Sequence, residues 1–552
     1  MLALCALAFA LQLGPAFANR FHADEALYAT WAMQVASGRD VLLAKSPLDK
    51  PPLAFYTMAA SLFVFGRVEI AARLPSLIAS VVSVALAWRW SRILHPSPFI
   101  LHPSSFTPHP SSFAALVTAL SPFSIAFGGT AFLDPLMVMW GLAACVAAGR
   151  GRAGWGGLFL GLAFATKVQG LLFAPLVLFT AGFSPQRREG HPISLESLPR
   201  RWRLRGSLAF MLVIIRKCSR PASSRAVRVP ADGEHSSPRR LRGSSAFVAG
   251  FGSVVAAVAL WSLARGGTPF YVQQTINYGG IRLAFTSELG PRLNAWLGLL
   301  PYVFGPVLGA GLAIGLPILL LDAFLRRPRT RQAAVDALLC VYALGFLAFH
   351  WLLAFPVWDR YLLILVPVLA MLLGRWISWL VSWLVGWPAD RVSVRSPANH
   401  QTIQRTNHST TQLSTFILMA LLILPFSFQA TQNGAPIGGD HGAHDGIDRV
   451  EAYLRDLPMG TVVYDHWLGW ELDFYLWDAA LYRAYFDTPA DLARDLRAFG
   501  RVTPHYLVVP MGESSSKVER VIAAEGFALK PALTALNRFG QESFVVYQIA
   551  AR

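Results

Sequence analysis

Apolar runs of bilayer length recur along this chain, and they restrict its fold more than any other feature. Ile70–Trp90, Trp155–Phe183, Phe247–Ala264, Trp296–Leu321, Ala334–Phe355 and Tyr361–Leu384 approach or exceed the roughly 20 residues that a helix needs to cross a hydrocarbon core. Only 14% of the 552 residues are charged and 54% are hydrophobic, whereas soluble domains carry about 25% charged residues. The chain therefore reads as a mostly α, polytopic membrane protein.

Charge orients it. Of the net +17, the stretch Ser184–Ser245 supplies 14 Lys/Arg against 4 Asp/Glu. Basic loops stay on the cytoplasmic side. A basic loop can also bind nucleic acid, but membrane spans flank this one and no nucleic-acid partner is expected. Arg150–Arg152 and Arg326–Arg331 are two further basic turns. Placing all three inside leaves Asn19–Pro52, the Asp134 turn, Gly266–Arg292 and Phe355–Tyr361 outside. About eleven spans satisfy this pattern, with the amino end inside and the carboxyl end outside. The expected location is the plasma (inner) membrane.

Met1–Ala18 is apolar and ends in "PAFAN", which resembles a signal-peptidase site. No basic stretch precedes it. The competing reading, a first span whose outer end delivers Asp24, gives the following acids a purpose and is the one expected.

The transmembrane unit is taken as residues 1–430. Three insertions within it, at about 95–112, 184–245 and 388–414, are low-complexity or polar and are expected to be cytoplasmic and poorly ordered. Residues 431–552 change character. "TVVYDHW", "HYLVVP" and "SFVVYQIA" read as strands, while "PADLARDLRAFG" and "SKVERVIAAEGF" read as helices, with Thr488 as an N-cap and Gly500 as a stop. This predicts a small extracytoplasmic α/β domain, joined to the last span through an exposed, Gly-rich hinge at Thr431–Gly446.

Chemistry-bearing residues gather on the outer segments. In "FHADEALYATW", Asp24 and Glu25 open a helical pattern that runs to Ser37, with Gly38 as the stop. Acids in a first turn favour the helix dipole, which is the plain explanation. The helix also carries Leu27, Tyr28, Trp31, Met33 and Val35, a composition suited to the membrane interface. Partial desolvation there makes a carboxylate a better general base. In "AKSPLDKPPLAFY", Lys50 precedes Pro51–Pro52, which can start a helix. It is either a phosphate ligand at a helix N-terminus or a snorkelling juxtamembrane lysine. Arg73 sits early in a span, where a charge needs a partner. Asp134 lies at a hairpin turn, Lys167 interrupts an apolar stretch, and Asp359–Arg360 opens a late span. The four cysteines, Cys5, Cys145, Cys218 and Cys340, have neither paired nor metal-ligand spacing.

The order of these features, an acidic pair after the first span, then "KPP", "RLPS", an outer Asp, "LGLA…TK" and a late "RY", resembles the protein O-mannosyltransferase and lipid A aminoarabinose transferase superfamily. This is glycosyltransferase family 39 of the GT-C class. The resemblance covers roughly Phe21–Pro175 and, loosely, Arg360–Pro367. It implies an inverting transfer of a sugar (a hexosyl or pentosyl group) from a polyprenyl-phosphate carrier to a hydroxyl on lipid or protein at the outer face. It also implies that Asp24 is the base, with Glu25 as its orienter or partial substitute. Lys50, Arg360 and Lys167 would hold the carrier phosphate. His22, Tyr28, Arg73, Asp134 and Tyr361 are further substrate-binding candidates. Asp24–Glu25 is not the D-x-D arrangement that grips a nucleotide-sugar metal, so neither a cofactor nor an essential metal is expected. Three other functions remain open. One is an oligosaccharide or polymer transferase of the same fold. Another is a secondary transporter, which would place charges at mid-membrane and show internal repeats. The third is an inactive membrane scaffold displaying the outer domain, against which the acidic pair and "KPP" argue.

Overall fold

The computed structural model describes residues 1–96, 110–183, 238–325, 330–386, 414–415 and 417–552. Most of the three expected insertions lies outside the described residues. At their edges the structure differs from expectation: Pro238–Ser245 forms the first turns of a helix, and residues 110–112 open another.

The transmembrane unit begins with α1 (Leu2–Ala18), which turns by 91° into α2 (Ala23–Ala36). α3 (Leu53–Phe65) and α4 (Glu69–Leu94) follow, then α5 (Pro110–Leu120) and α6 (Pro122–Gly128), bent by 54°. α7 (Asp134–Gly149) and α8 (Ala153–Thr166) lead through a 3₁₀ turn, Val168–Phe173, into α9 (Ala174–Ala181). The next group is α10 (Pro238–Arg265), α11 (Phe270–Tyr278), α12 (Thr286–Leu299), α13 (Pro301–Phe304), α14 (Pro306–Leu325) and α15 (Arg331–Leu352). A second 3₁₀ turn, Asp359–Ile364, precedes α16 (Val366–Gly386), and α17 (Ile417–Thr431) ends the unit.

Four of these helices are long and apolar enough to cross a membrane, six if each bent pair is one span; shorter apolar stretches include Leu53–Phe65, Asp134–Gly149, Val366–Leu380 within α16, and Ile417–Thr431. The sequence count of about eleven treats several broken runs as single spans. Trp155–Phe183 breaks at Lys167, which adopts extended backbone between α8 and the 3₁₀ turn. Trp296–Leu321 breaks at Pro301 and again at Gly305, whose φ of +86° no branched residue adopts easily. α8 and α10 meet along small residues: a Cβ on Gly157 would fall 2.0 Å from the Phe247 carbonyl oxygen. Close approach of this kind supplies the dispersion contacts that hold helices together in lipid.

The α/β unit comprises α18 (Ile447–Arg455), β1 (Val462–Asp465), α19 (Gly469–Tyr475), β2 (Tyr482–Tyr485), α20 (Pro489–Phe499), β3 (His505–Pro510), α21 (Ser516–Ala524), β4 (Phe527–Leu536) and β5 (Glu542–Ala551). The sheet order is β2-β1-β3-β5-β4. The first three strands are parallel, with Val462 beside both Tyr482 and His505, and β5 runs antiparallel to β3 and β4. β1, β3 and β5 fall on the strands legible in the sequence. Thr488 caps α20 in a capping box with Asp491. β2 and β4 escape a pattern search because β2 is four residues long and mostly exposed, while β4 carries Pro531 on a sheet edge. Leu492, Leu496, Leu507, Val509, Ile522 and Phe527 form the core beneath the sheet.

Thr431–Gly446 is not an exposed hinge. Ala435, Ile437, Asp440 and Asp445 are buried. The segment is strapped to the transmembrane unit by side-chain amide bonds between Asn433 and Asn19, and by the Gly438 N–H donating to Asp359 Oδ2 at 2.9 Å. α19 docks beside it. Arg67 donates to the carbonyls of Phe474 and Tyr475 at 3.1 and 2.7 Å, and the Tyr475 hydroxyl bonds Glu69. Polar partners at both ends, not a free linker, therefore fix the α/β unit on the end of the bundle that carries Asp24.

This junction holds a titratable group of three. His444 contacts Asp440 through Nδ1, and its Nε2 lies 3.3 Å from Glu471 Oε1. Burial pushes the Glu471 carboxyl from its ordinary 4.5 up to about 7, against the pull of His444. Burial opposes the charge on His444, but Asp440 and Glu471 outweigh it and its pKa rises. In both cases the folded chain keeps a proton that the unfolded chain gives up earlier. Stability from Glu471 is complete below pH 4.5 and is lost between there and about 7; stability from His444 is complete below 6.5 and is lost as pH passes its raised value. Thermal unfolding of the detergent-solubilised protein should therefore shift to lower temperature from pH 5 to pH 8. Glu471→Gln should remove the part of that shift below pH 7.

Candidate active site

Asp24 reaches the site because a capping box starts α2 there. His22 Nδ1 accepts the Asp24 N–H at 3.2 Å, and Glu25 accepts the His22 N–H at 3.1 Å. The two acids then diverge. Glu25 is fully buried and accepts hydrogen bonds from the Ala131 N–H at 2.7 Å and from Arg73 Nε at 3.1 Å. Arg73, also fully buried, spends its remaining donors on the carbonyls of Ala16, Asn19 and Arg20 at 2.8–2.9 Å. The charge that needs a partner on α4 has found it, and the pair pins the 91° turn between α1 and α2. Glu25 is thus closed to substrate in this conformation. It orients the helix, and the geometry gives no support to its acting as a substitute base.

Asp24 keeps a third of its side chain exposed, and its Oδ2 lies 2.5 Å from Arg360 Nη1. Arg360 is buried between the rings of Trp358 and Phe132, with its guanidinium carbon 4.5 and 4.9 Å from their centroids. Its Nε is buried without a hydrogen-bond partner among the described residues. Lys167 pairs with Asp134 at 2.7 and 2.9 Å and lies 5.0 Å from the Tyr361 ring centroid. Lys50 pairs with Asp49 at 2.5 Å, and its Nζ is 3.5 Å from the Tyr278 hydroxyl. Lys50 lies against Tyr278, Arg360 against Trp358 and Lys167 against Tyr361, with each charge 4.5–5.0 Å from the ring centroid. Three cations from three distant segments thus meet one aromatic wall, in which Tyr278 meets Trp358 edge-on at 5.4 Å and Trp358 meets Tyr361 at 5.6 Å, and the middle one, Arg360, pairs with Asp24.

Asp24, Lys50, Lys167, Arg360, Asp134 and Tyr361 are therefore brought together. Tyr28, buried one helical turn beyond Asp24, packs on Trp31 and Phe55 behind it, and His22 lies against Phe132. Arg73 belongs to the buried clamp and not to the open site. Sequence reasoning missed Asp49, Tyr278 and Trp358. Asp49 was adjacent to a chosen lysine, but Tyr278 carries no local signal because only the return of α11 over the site brings it to Lys50. Among the described residues no group of three or more His, Cys, Asp or Glu is placed to hold a metal ion.

Residues 49–193 match a family model described as dolichyl-phosphate-mannose-protein mannosyltransferase. No curated protein matches the chain. Crystal structures of ArnT from Cupriavidus metallidurans match across nearly the full length, covering 99% of this chain and 97% of that one at 14% identity. The TM-score is 0.53 for the form bound to undecaprenyl phosphate and 0.55 for the apo form. The fold is the GT-C fold. The GT-C likeness spans both the helical bundle and the small C-terminal sheet, so this multi-pass chain resembles ArnT as a whole, and the family-model match falls on the segment carrying Lys50, Arg73, Asp134 and Lys167.

Proposed function

We propose that this protein is a membrane glycosyltransferase that takes a sugar from a polyprenyl-phosphate carrier and passes it, with inversion, to a hydroxyl on lipid or protein at the extracytoplasmic face. The observation that carries this reading is the gathering of Lys50, Arg360 and Lys167 along one aromatic wall, with Arg360 paired to Asp24 and its Nε–H buried and lacking an acceptor among the described residues. A leaving phosphate needs cations, and an acceptor hydroxyl needs a base within reach. The ArnT form that binds undecaprenyl phosphate supports a carrier of that class. No resident metal is invoked. Membranes containing the protein should transfer label from a radiolabelled polyprenyl-phosphate sugar to lipid or protein. Retention of the label on the carrier, for every sugar tried, would remove the reading. Transfer of a preassembled oligosaccharide alone would favour a ligase of the same fold. The Asp24–Arg360, Glu25–Arg73 and Lys167–Asp134 pairs gather at one end of the bundle, which favours a transferase over a transporter, while the buried Asp336–Arg375 pair joins α15 to α16.

Lys50→Ala removes a cation that meets the phosphate in the bound donor and again as charge develops on it. Donor binding and turnover should fall together, by roughly 1.5–3 kcal/mol for a lost charged hydrogen bond. Titration with undecaprenyl phosphate beside a rate measurement reads both.

The proposed orientation places the basic segment Ser184–Ser245 in the cytoplasm. A cysteine introduced at Ser207 should resist an impermeant thiol reagent added to intact cells. Ready labelling would reverse the faces.

A further inference from the structure

Asp24 and Arg360 meet although they are distant in sequence and stand on separate elements, the start of α2 and the 3₁₀ turn Asp359–Ile364. One segment touches both. Asn433 bonds Asn19, in the linker that enters α2, at 2.7 Å. Five residues later the Gly438 N–H donates to Asp359 Oδ2 at 2.9 Å, while Asp359 Oδ1 accepts the Arg360 N–H at 2.7 Å. Gly438 has a φ of +97°, and a Cβ there would lie 2.8 Å from the Ala126 Cβ. Gly439 covers the Glu25 carboxylate, with Oε2 3.4 Å from where its own Cβ would stand. Beyond it, Asp440 and Asp445 are buried and tied to His444 and Arg538, and Arg538 also donates to the Ala18 carbonyl at 2.5 Å.

We propose that Asp359 is a positioning residue, and that residues 433–446 act as a brace setting the separation of the Asp24 helix from the Arg360 turn. The C-terminal unit then serves catalysis by holding the phosphate-binding guanidinium against the base. This rests on the transferase reading above. The Asp359 carboxylate sits between two backbone N–H groups, one on the brace and one on Arg360 itself, so it transmits the position of one to the other.

Asp359→Asn is nearly isosteric but replaces one acceptor oxygen with an N–H₂ group that faces a donor. Transfer should fall about 10- to 100-fold in kcat/KM, with weaker binding of undecaprenyl phosphate, as expected for losing a hydrogen bond to a charged acceptor. In an Arg360→Lys background the same change should cost no more than about twofold, because residues acting through one another are not additive. Gly438→Ala breaks the link from the other side and should add little to Asp359→Asn. Hydrogen exchange gives a readout independent of activity: Asp359→Asn should speed exchange at residues 357–362, at 436–440 and at the start of α2, residues 23–28. The proposal is overturned if exchange at 23–28 is unchanged, or if Asp359→Asn costs as much in the Arg360→Lys background as alone. If the wild-type protein neither binds undecaprenyl phosphate nor transfers sugar, the transferase reading falls, while the exchange data still decide whether the brace exists.

Discussion

Replacing Asp24 with Asn should lower sugar transfer on the order of 10²–10⁴-fold, the range that a general base contributes, without weakening the binding of undecaprenyl phosphate. The second half follows from the Arg360 contact. Asp24 occupies Nη1 of a guanidinium whose Nε already lacks a partner among the described residues. Asn keeps the size of the side chain but removes the charge that competes with a phosphate for Arg360. Rate and donor affinity should therefore separate, unlike the joint loss expected for Lys50→Ala. Single-turnover rates and a binding titration on the same preparation check this. Near-normal transfer by Asp24→Asn would take away the centre of the enzyme reading. Weaker donor binding would instead show that Asp24 holds Arg360 ready for phosphate and does not compete for it.

Arg73→Ala should destabilise the protein more than Asp24→Asn, Lys50→Ala or Asp359→Asn. It leaves the fully buried Glu25 carboxylate without its countercharge and strips hydrogen bonds from three carbonyls at the α1–α2 turn. Breaking a buried ion pair from one side costs on the order of 3–5 kcal/mol. Thermal unfolding in detergent should move to clearly lower temperature, and the yield of folded protein should drop. Asp24→Asn should move both less, since Asp24 is partly solvated and Asn keeps a side-chain oxygen that can accept from the buried Arg360. Equal stability of the two variants would show that the Glu25–Arg73 pair does not clamp the α1–α2 turn.

The family resemblance set Asp24 apart from Glu25, but the residues themselves did not. Neighbouring acids in "ADEA" look alike in the sequence. Helical geometry swings successive side chains about 100° apart, so one faces Arg360 at the open site and the other faces Arg73 in the interior. Only packing says which is which. The same holds for the hinge. Glycine-rich, polar Thr431–Gly446 has the composition of an exposed linker, yet its glycines serve close approach and positive φ at a tightly packed seam. Lys167 was legible as an anomaly in an apolar run. Its partner was not, because Asp134 lies in another helix and reaches it only through the α7–α8 pairing.

The sequence by itself determined that this chain lies in a membrane, that its helices carry charge mainly at their ends, and that three strands of the α/β unit stand where they do. These follow from local composition and periodicity, which act over a turn or a strand. Capping at Thr488 and the helix start at Pro51–Pro52 belong to the same local class. Tertiary structure alone decided the pairing of Asp24 with Arg360, of Glu25 with Arg73 and of Lys167 with Asp134, the approach of Tyr278 to Lys50, and the docking of the C-terminal unit against Asp359 and the α1–α2 turn. The physical reason is that buried charges cost free energy unless neutralised. Each partner is therefore chosen by which segment the fold brings within about 3 Å, and no local pattern in the chain records that choice.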